Sequence, residues 1–90
     1  MKAYRVRIEG RVQGVGFRYY TQAEANRLGI NGWVHNCEDG SVETLISGDD
    51  AQLNSMLRWL KHGPSSAIVS DTHVEPTTVD PVTPGFRITS

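Results

Sequence analysis

Residues 4–29, YRVRIEGRVQGVGFRYYTQAEANRLG, change periodicity twice, and that double change decides the fold. Tyr4, Val6 and Ile8 alternate with Arg5, Arg7 and Glu9, a period-two pattern that predicts a strand over about 3–9 with one buried face. Glycines at 10, 14 and 16 then interrupt all periodicity and predict a tight loop whose backbone enters conformations closed to other side chains. From Phe17 to Leu28 the spacing turns helical. Phe17, Tyr20, Thr21, Ala25 and Leu28 fall on one face, and Gly29 stands where a helix-ending glycine belongs.

Beyond this start, Ile30–Asn36 and Ser41–Ser47 are β-leaning runs joined by Cys37-Glu38-Asp39-Gly40, whose Asp-Gly pair signals a hairpin turn. Gly48-Asp49-Asp50 offers a carboxylate cap for a second helix over about 50–61, with Leu53, Met56, Leu57 and Leu60 at helical spacing and Gly63-Pro64 closing it. Ala67–Glu75 predicts a further strand, Pro76–Pro84 a long surface connection, and Phe86-Arg87-Ile88 a short last strand. The order β-α-β-β-α-β with a terminal strand is the ferredoxin-like split βαβ arrangement, an α+β fold with an antiparallel sheet covered by two helices on one face. We expect residues 1–90 to form one domain. Many functions share this topology, so the site must decide among them. Trp33, Trp59 and Phe86 are expected in the core or at its edge.

Composition narrows the classes. Hydrophobic residues at 38% and charged residues at 21% are ordinary globular usage, which excludes disorder. Nine Lys and Arg against ten Asp and Glu give a net charge of −1, so no long-range field draws nucleic acid or a membrane, and any anion site must be local. With Cys37 alone no intrachain disulfide forms, which favours a reducing compartment. No signal-peptide core and no run of about 20 apolar residues appears, so the expectation is a cytoplasmic protein.

The chemistry concentrates in Gly10–Arg18. A glycine loop running into a helix start gathers backbone N–H donors at the positive end of the helix dipole, a place that binds phosphate-like anions. No Lys-Ser or Lys-Thr follows the last glycine, so this is not a Walker A loop, and the spacing is not that of a dinucleotide fingerprint. Arg18 breaks a local rule. A cation in the first turn opposes the dipole at a cost of a few tenths to about 1 kcal/mol, and a guanidinium above a ring of N–H donors would clamp a phosphoryl group through two oxygens. An exposed arginine tolerated at a helix end is the bland alternative for Arg18, and an ordinary turn residue is the bland alternative for Asn36.

Gly10–Arg18, together with Gly32-Trp33-Val34-His35-Asn36 and Asp39-Gly40-Ser41-Val42-Glu43, closely resembles the two signature segments of the acylphosphatases, and the resemblance spans nearly the whole chain. It implies that Arg18 is the catalytic phosphate-binding arginine and Asn36 the residue that orients the attacking water. It further implies that the backbone amides of Gln13, Gly14, Val15, Gly16 and Phe17 cradle the phosphate. The implied reaction is hydrolysis of a carboxylic–phosphoric anhydride, with a small-molecule acyl phosphate as substrate, no cofactor, and no nucleic-acid or membrane partner. A monomer is expected. Cys37 departs from the small polar residue more usual in the family at its position.

Phosphoryl transfer needs positioning and charge stabilisation more than covalent help, which this loop can supply without a metal in principle. His35, on a strand, should point away from Asn36, and His35, His62 and His73 share no ligand spacing with Cys37 or the carboxylates, so no metal site is expected. Two rivals share the topology. An RNA-recognition domain would carry aromatics on its third strand, and Ser41–Ser47 has none. A regulatory or protein-interaction module could keep an old phosphate loop, but such a module needs neither Arg18 nor Asn36.

Overall fold

A computed structural model of the chain describes residues 2–78 and 84–89. Its elements run β1 (Lys2–Arg11), α1 (Phe17–Leu28), β2 (Asn31–Asn36), β3 (Val42–Ser47), α2 (Asp50–Leu60), β4 (Ile68–Thr78) and β5 (Phe86–Ile88). The strands form one sheet in the order β4-β1-β3-β2-β5. Every pairing among β1 to β4 is antiparallel, as expected, while β5 adds to β2 in parallel, so the full sheet is mixed. Among the described residues no helix is long and apolar enough to cross a membrane.

Strand parity sorts the two faces. Val6 and Ile8 on β1, Val34 on β2 and Val42 and Ile46 on β3 turn inward and meet Phe17 and Ala25 of α1 and Leu53, Met56 and Leu60 of α2 in one core. Arg5, Arg7, Trp33 and His35 occupy the alternate positions and look out from the uncovered face. Trp33 is therefore not a core aromatic. It stacks on His35 with ring centroids 4.8 Å apart and lies 6.0 Å from the Arg5 guanidinium. Trp59 does pack on the core, 5.8 Å from Phe17, and Phe86 is buried. On α1 the buried residues are Phe17, Thr21 and Ala25, but Tyr20 is 47% exposed and meets Tyr19 edge to face instead of the core.

β4 also runs further than its sequence suggests. Pro76 was expected to begin a connection, yet it pairs opposite Tyr4 and the strand continues to Thr78. A proline lacks the N–H that a central strand must donate, but β4 is the sheet's outer strand, where that loss faces solvent. The remainder of the expected connection, 79–83, lies outside the described residues. At the other end of the β1–β4 ladder the register shifts between Glu9 and Gly10, and Gly10 has φ 125°. A Cβ at Gly10 would run into the Ile68 carbonyl, so only glycine lets β1 bend there and steer the chain into its loop.

α2 starts with a reciprocal cap. Asp49 Oδ1 accepts from the Gln52 N–H at 2.8 Å, and Gln52 Oε1 accepts from the Asp49 N–H at 2.8 Å. The Gln52 amide also donates to the Leu28 carbonyl at 2.9 Å, tying the end of α1 to the start of α2. Asp49→Ala should therefore cost about 1 kcal/mol and lower Tm by about 4–8 °C. Thermal unfolding followed by circular dichroism measures it, and an unshifted Tm would mean that this cap does not bear on global unfolding.

Candidate active site

The loop between β1 and α1 opens beside the carboxyl end of β2. Gly14 and Gly16 take left-handed conformations, φ 76° and 79°, which turn the chain within five residues from Val12 to the helix. Gly16 is itself the N-cap, so no side chain caps α1, and its first turn holds no acidic residue. The orphan N–H groups and the positive dipole end are thus left without the carboxylate or hydroxyl that usually answers them. Arg18, in this first turn, adds a full positive charge and is half-buried. Among the described residues no carboxylate lies within ion-pair distance of it.

Across from this cationic corner stands Asn36, the last residue of β2. It shares parity with buried Val34, so its side chain turns to the helix-covered side. Its Oδ1 is buried and has no hydrogen-bond partner among the described residues. A buried carbonyl oxygen left unpaired costs about 1–3 kcal/mol and points to a donor that arrives with a ligand or a water. Gly14, Gly16, Phe17, Arg18 and Asn36 together line a cleft of about 240 Å³, completed by Val12, Tyr19 and Ile88.

Gln13 and Val15, expected in the phosphate cradle, do not line that cleft with the others. The Gln13 side chain leaves the loop and donates to two carbonyls of the β2–β3 turn, Cys37 O at 2.8 Å and Ser41 O at 2.9 Å. It thereby fastens the glycine loop to the turn that follows Asn36. The Val15 carbonyl accepts from Ser66 Oγ at 2.7 Å, anchoring the loop on its other flank. The turn is stiffened in addition by Asp39, whose Oδ1 accepts from Ser41 Oγ at 2.6 Å and Ser41 N–H at 3.0 Å. The Ser41 hydroxyl first, and its N–H second, hold the Asp39 carboxyl below its ordinary range. Because the folded value is the lower one, this contribution is present above the ordinary carboxylate pKa and fades as pH falls through the depressed one.

The Gln13 anchor left no local trace in the sequence, since its acceptors lie 24 and 28 residues away. Tyr19 and Ile88, which the sequence motifs do not single out, also stand at the rim, one 65% and the other 39% exposed. A larger cleft of about 460 Å³ lies between α2 and β4 and includes Tyr4, Leu57, Arg58 and Val74. It follows the last turns of α2, where a helix presents carbonyls rather than N–H groups, so it lacks the cationic backbone that the smaller one has.

Spacing in sequence gave no ligand set, yet the fold brings His35, Cys37 and Glu43 together with donor atoms within 4.8 Å of one another, and likewise Glu9, Asp71 and His73. Hairpin pairing supplies what linear spacing hid, for His35 stands opposite Glu43. None of these residues lines the cleft of Arg18 and Asn36.

Three comparisons bear on this arrangement. The acylphosphatase family model matches residues 4–88. An acylphosphatase of Rhizobium etli is 50% identical over 98% of this chain and 94% of its own length. The crystal structure of an acylphosphatase from Bacillus subtilis superposes with a TM-score of 0.94 at 39% identity over the whole of both chains. The structure of an acylphosphatase from Coxiella burnetii gives 0.89 at 34% identity, covering 96% of this chain and 90% of its own.

Proposed function

Since this chain belongs to the acylphosphatase family, we propose that the cleft of Arg18 and Asn36 is where it hydrolyses acyl phosphates. The enzyme cleaves the carboxyl–phosphate anhydride to a carboxylate and inorganic phosphate. The phosphoryl group sits on the backbone amides of Gly14, Gly16 and Phe17 and the start of α1, with Gln13 and Val15 anchoring the loop on either flank. The Arg18 guanidinium grips two of its oxygens, and the acyl group lies outward past Tyr19 and Ile88.

Charge spreads over the phosphoryl oxygens as the bond to the leaving carboxylate lengthens, and donors fixed in place before the reaction stabilise that charge without reorganising. Asn36 Oδ1 accepts one hydrogen of a water and aims its oxygen at phosphorus, opposite the leaving group. An amide cannot remove a proton at neutral pH. The water proton instead passes to a phosphoryl oxygen of the substrate as the P–O bond to the carboxylate breaks, so the carboxylate departs as an anion and phosphate forms. No protein base is needed for a leaving group this good. The observation that carries the assignment is the buried Oδ1 of Asn36, without a partner among the described residues, in the same cleft as a guanidinium that no described carboxylate pairs and an uncapped helix start.

The same proposal has the chain act as a single-domain cytoplasmic monomer on a small molecule, without nucleic acid. A net charge of −1, which offers no general attraction to a polyanion, supports the absence of nucleic acid. Hydrolysis of benzoyl phosphate in the presence of EDTA is the test. We expect turnover unchanged by the chelator and competitive inhibition by inorganic phosphate. Activity lost to EDTA and restored by a divalent cation would defeat the metal-free mechanism, and non-competitive phosphate would move the anion site elsewhere.

A further inference from the structure

We propose that the uncovered face of the sheet carries a binding site for a borderline-soft divalent cation, Zn²⁺ or Cd²⁺, with His35 Nε2, Cys37 Sγ and a Glu43 carboxylate oxygen as its ligands. The three donors come together through ordinary strand geometry. His35 and Cys37 are two apart on one chain and share a face, and His35 is the cross-strand partner of Glu43. Nε2 stands 3.2 Å from Glu43 Oε1, and all three donor atoms lie within 4.8 Å of one another. Around a tetrahedral zinc, ligand atoms are about 3.3–3.8 Å apart, so the group closes on an ion by side-chain movements of about 1 Å.

The central ligand is already held. The His35 ring lies stacked on Trp33, and its Nδ1 is 3.3 Å from Thr89 Oγ1. In the bound form Nδ1–H donates to that hydroxyl, which fixes the tautomer and directs the Nε2 lone pair to the metal, the outer-shell support typical of metal-binding histidines. The lone pair then faces a carboxylate oxygen, two acceptors that a cation between them reconciles. Binding replaces the Cys37 S–H bond by a metal–thiolate bond and releases the proton to solvent. All three ligands are half-buried and reachable, and the fourth position is left to water. The donor set selects the metal, since one thiolate with one imidazole suits zinc and cadmium and disfavours magnesium or calcium. The rival group, Glu9, Asp71 and His73, has no sulfur, and Glu9 already serves Arg7 at 3.2 Å.

Titration of the full chain with Co²⁺, followed by displacement with Zn²⁺, tests the site. We expect a thiolate-to-cobalt charge-transfer band in the near ultraviolet that saturates at one equivalent and is erased by Zn²⁺. Cys37→Ser should abolish the band, and calorimetry should find Zn²⁺ affinity reduced at least tenfold in Cys37→Ser and in His35→Gln. Saturating Zn²⁺ should also slow alkylation of Cys37 by iodoacetamide in the unaltered protein, a readout that needs no variant. Full Zn²⁺ affinity in Cys37→Ser, binding lost instead in His73→Gln, or alkylation at the same rate with and without Zn²⁺ would each overturn the proposal.

Discussion

Arg18→Ala is expected to lower kcat/KM for benzoyl phosphate by about 10²–10³ or more, the scale seen when one preorganised donor to a developing oxyanion is removed. Two features of the site lead there. Arg18 is the cation that the cleft itself supplies, and among the described residues no carboxylate shares its charge. Its place in the first turn of an uncapped helix then aligns it with the dipole, so phosphate meets charge and N–H donors from one direction. Arg18→Lys keeps the charge but replaces a planar two-pronged donor by a point charge, so it should restore only part of the loss. Stability should move the other way. Removing a cation from the positive end of α1 relieves a repulsion, and Arg18→Ala should unfold no earlier than the parent and up to about 1 kcal/mol later. Steady-state kinetics and urea denaturation on the same samples separate the two effects. A variant that keeps full activity would remove Arg18 from catalysis, and one that loses activity only by unfolding would make it a structural residue.

That opposition between local stability and use is also what makes Arg18 legible in the sequence. A cation in a helix's first turn is a visible departure from a local rule, and so is a glycine loop where a strand should simply turn. Period-two alternation over Tyr4–Glu9 and helical spacing over Phe17–Leu28 named β1 and α1 nearly to their ends. Features set by distant pairing were not legible. Pro76 looks like a terminator because its missing N–H is a local fact, whereas its tolerance follows from β4 being an outer strand, a fact of the whole sheet. The parallel docking of β5 on β2 has no local signal for the same reason. Gln13 was read for its backbone amide, and its side chain turned out to hold the loop against carbonyls of the hairpin turn. Two further points follow from strand parity and hairpin register. Strand parity with buried Val34 places Trp33 on the uncovered face, and counting across the hairpin, where Asn36 faces Val42, sets His35 opposite Glu43.

Asn36→Ala should cost about as much activity as the arginine change, about 10²–10³ in kcat, while leaving the fold intact or slightly firmer. The reason lies in one atom. Among the described residues Asn36 Oδ1 is buried without a donor, an unpaired polar group worth about 1–3 kcal/mol. Alanine removes that burden together with the means of aiming water, so stability and turnover should separate, with urea midpoints equal to or above the parent's. KM should change little, because Asn36 addresses the nucleophile while the loop and Arg18 address the phosphate. Asn36→Asp gives a second arm. It keeps the shape and an acceptor oxygen, but sets a negative charge beside a phosphoryl dianion, so both binding and turnover should fall and KM should rise, unlike the alanine variant. A raised KM or an unchanged kcat in Asn36→Ala would mean that the oxygen serves substrate binding or nothing in the reaction, and the attacking water would then need another guide.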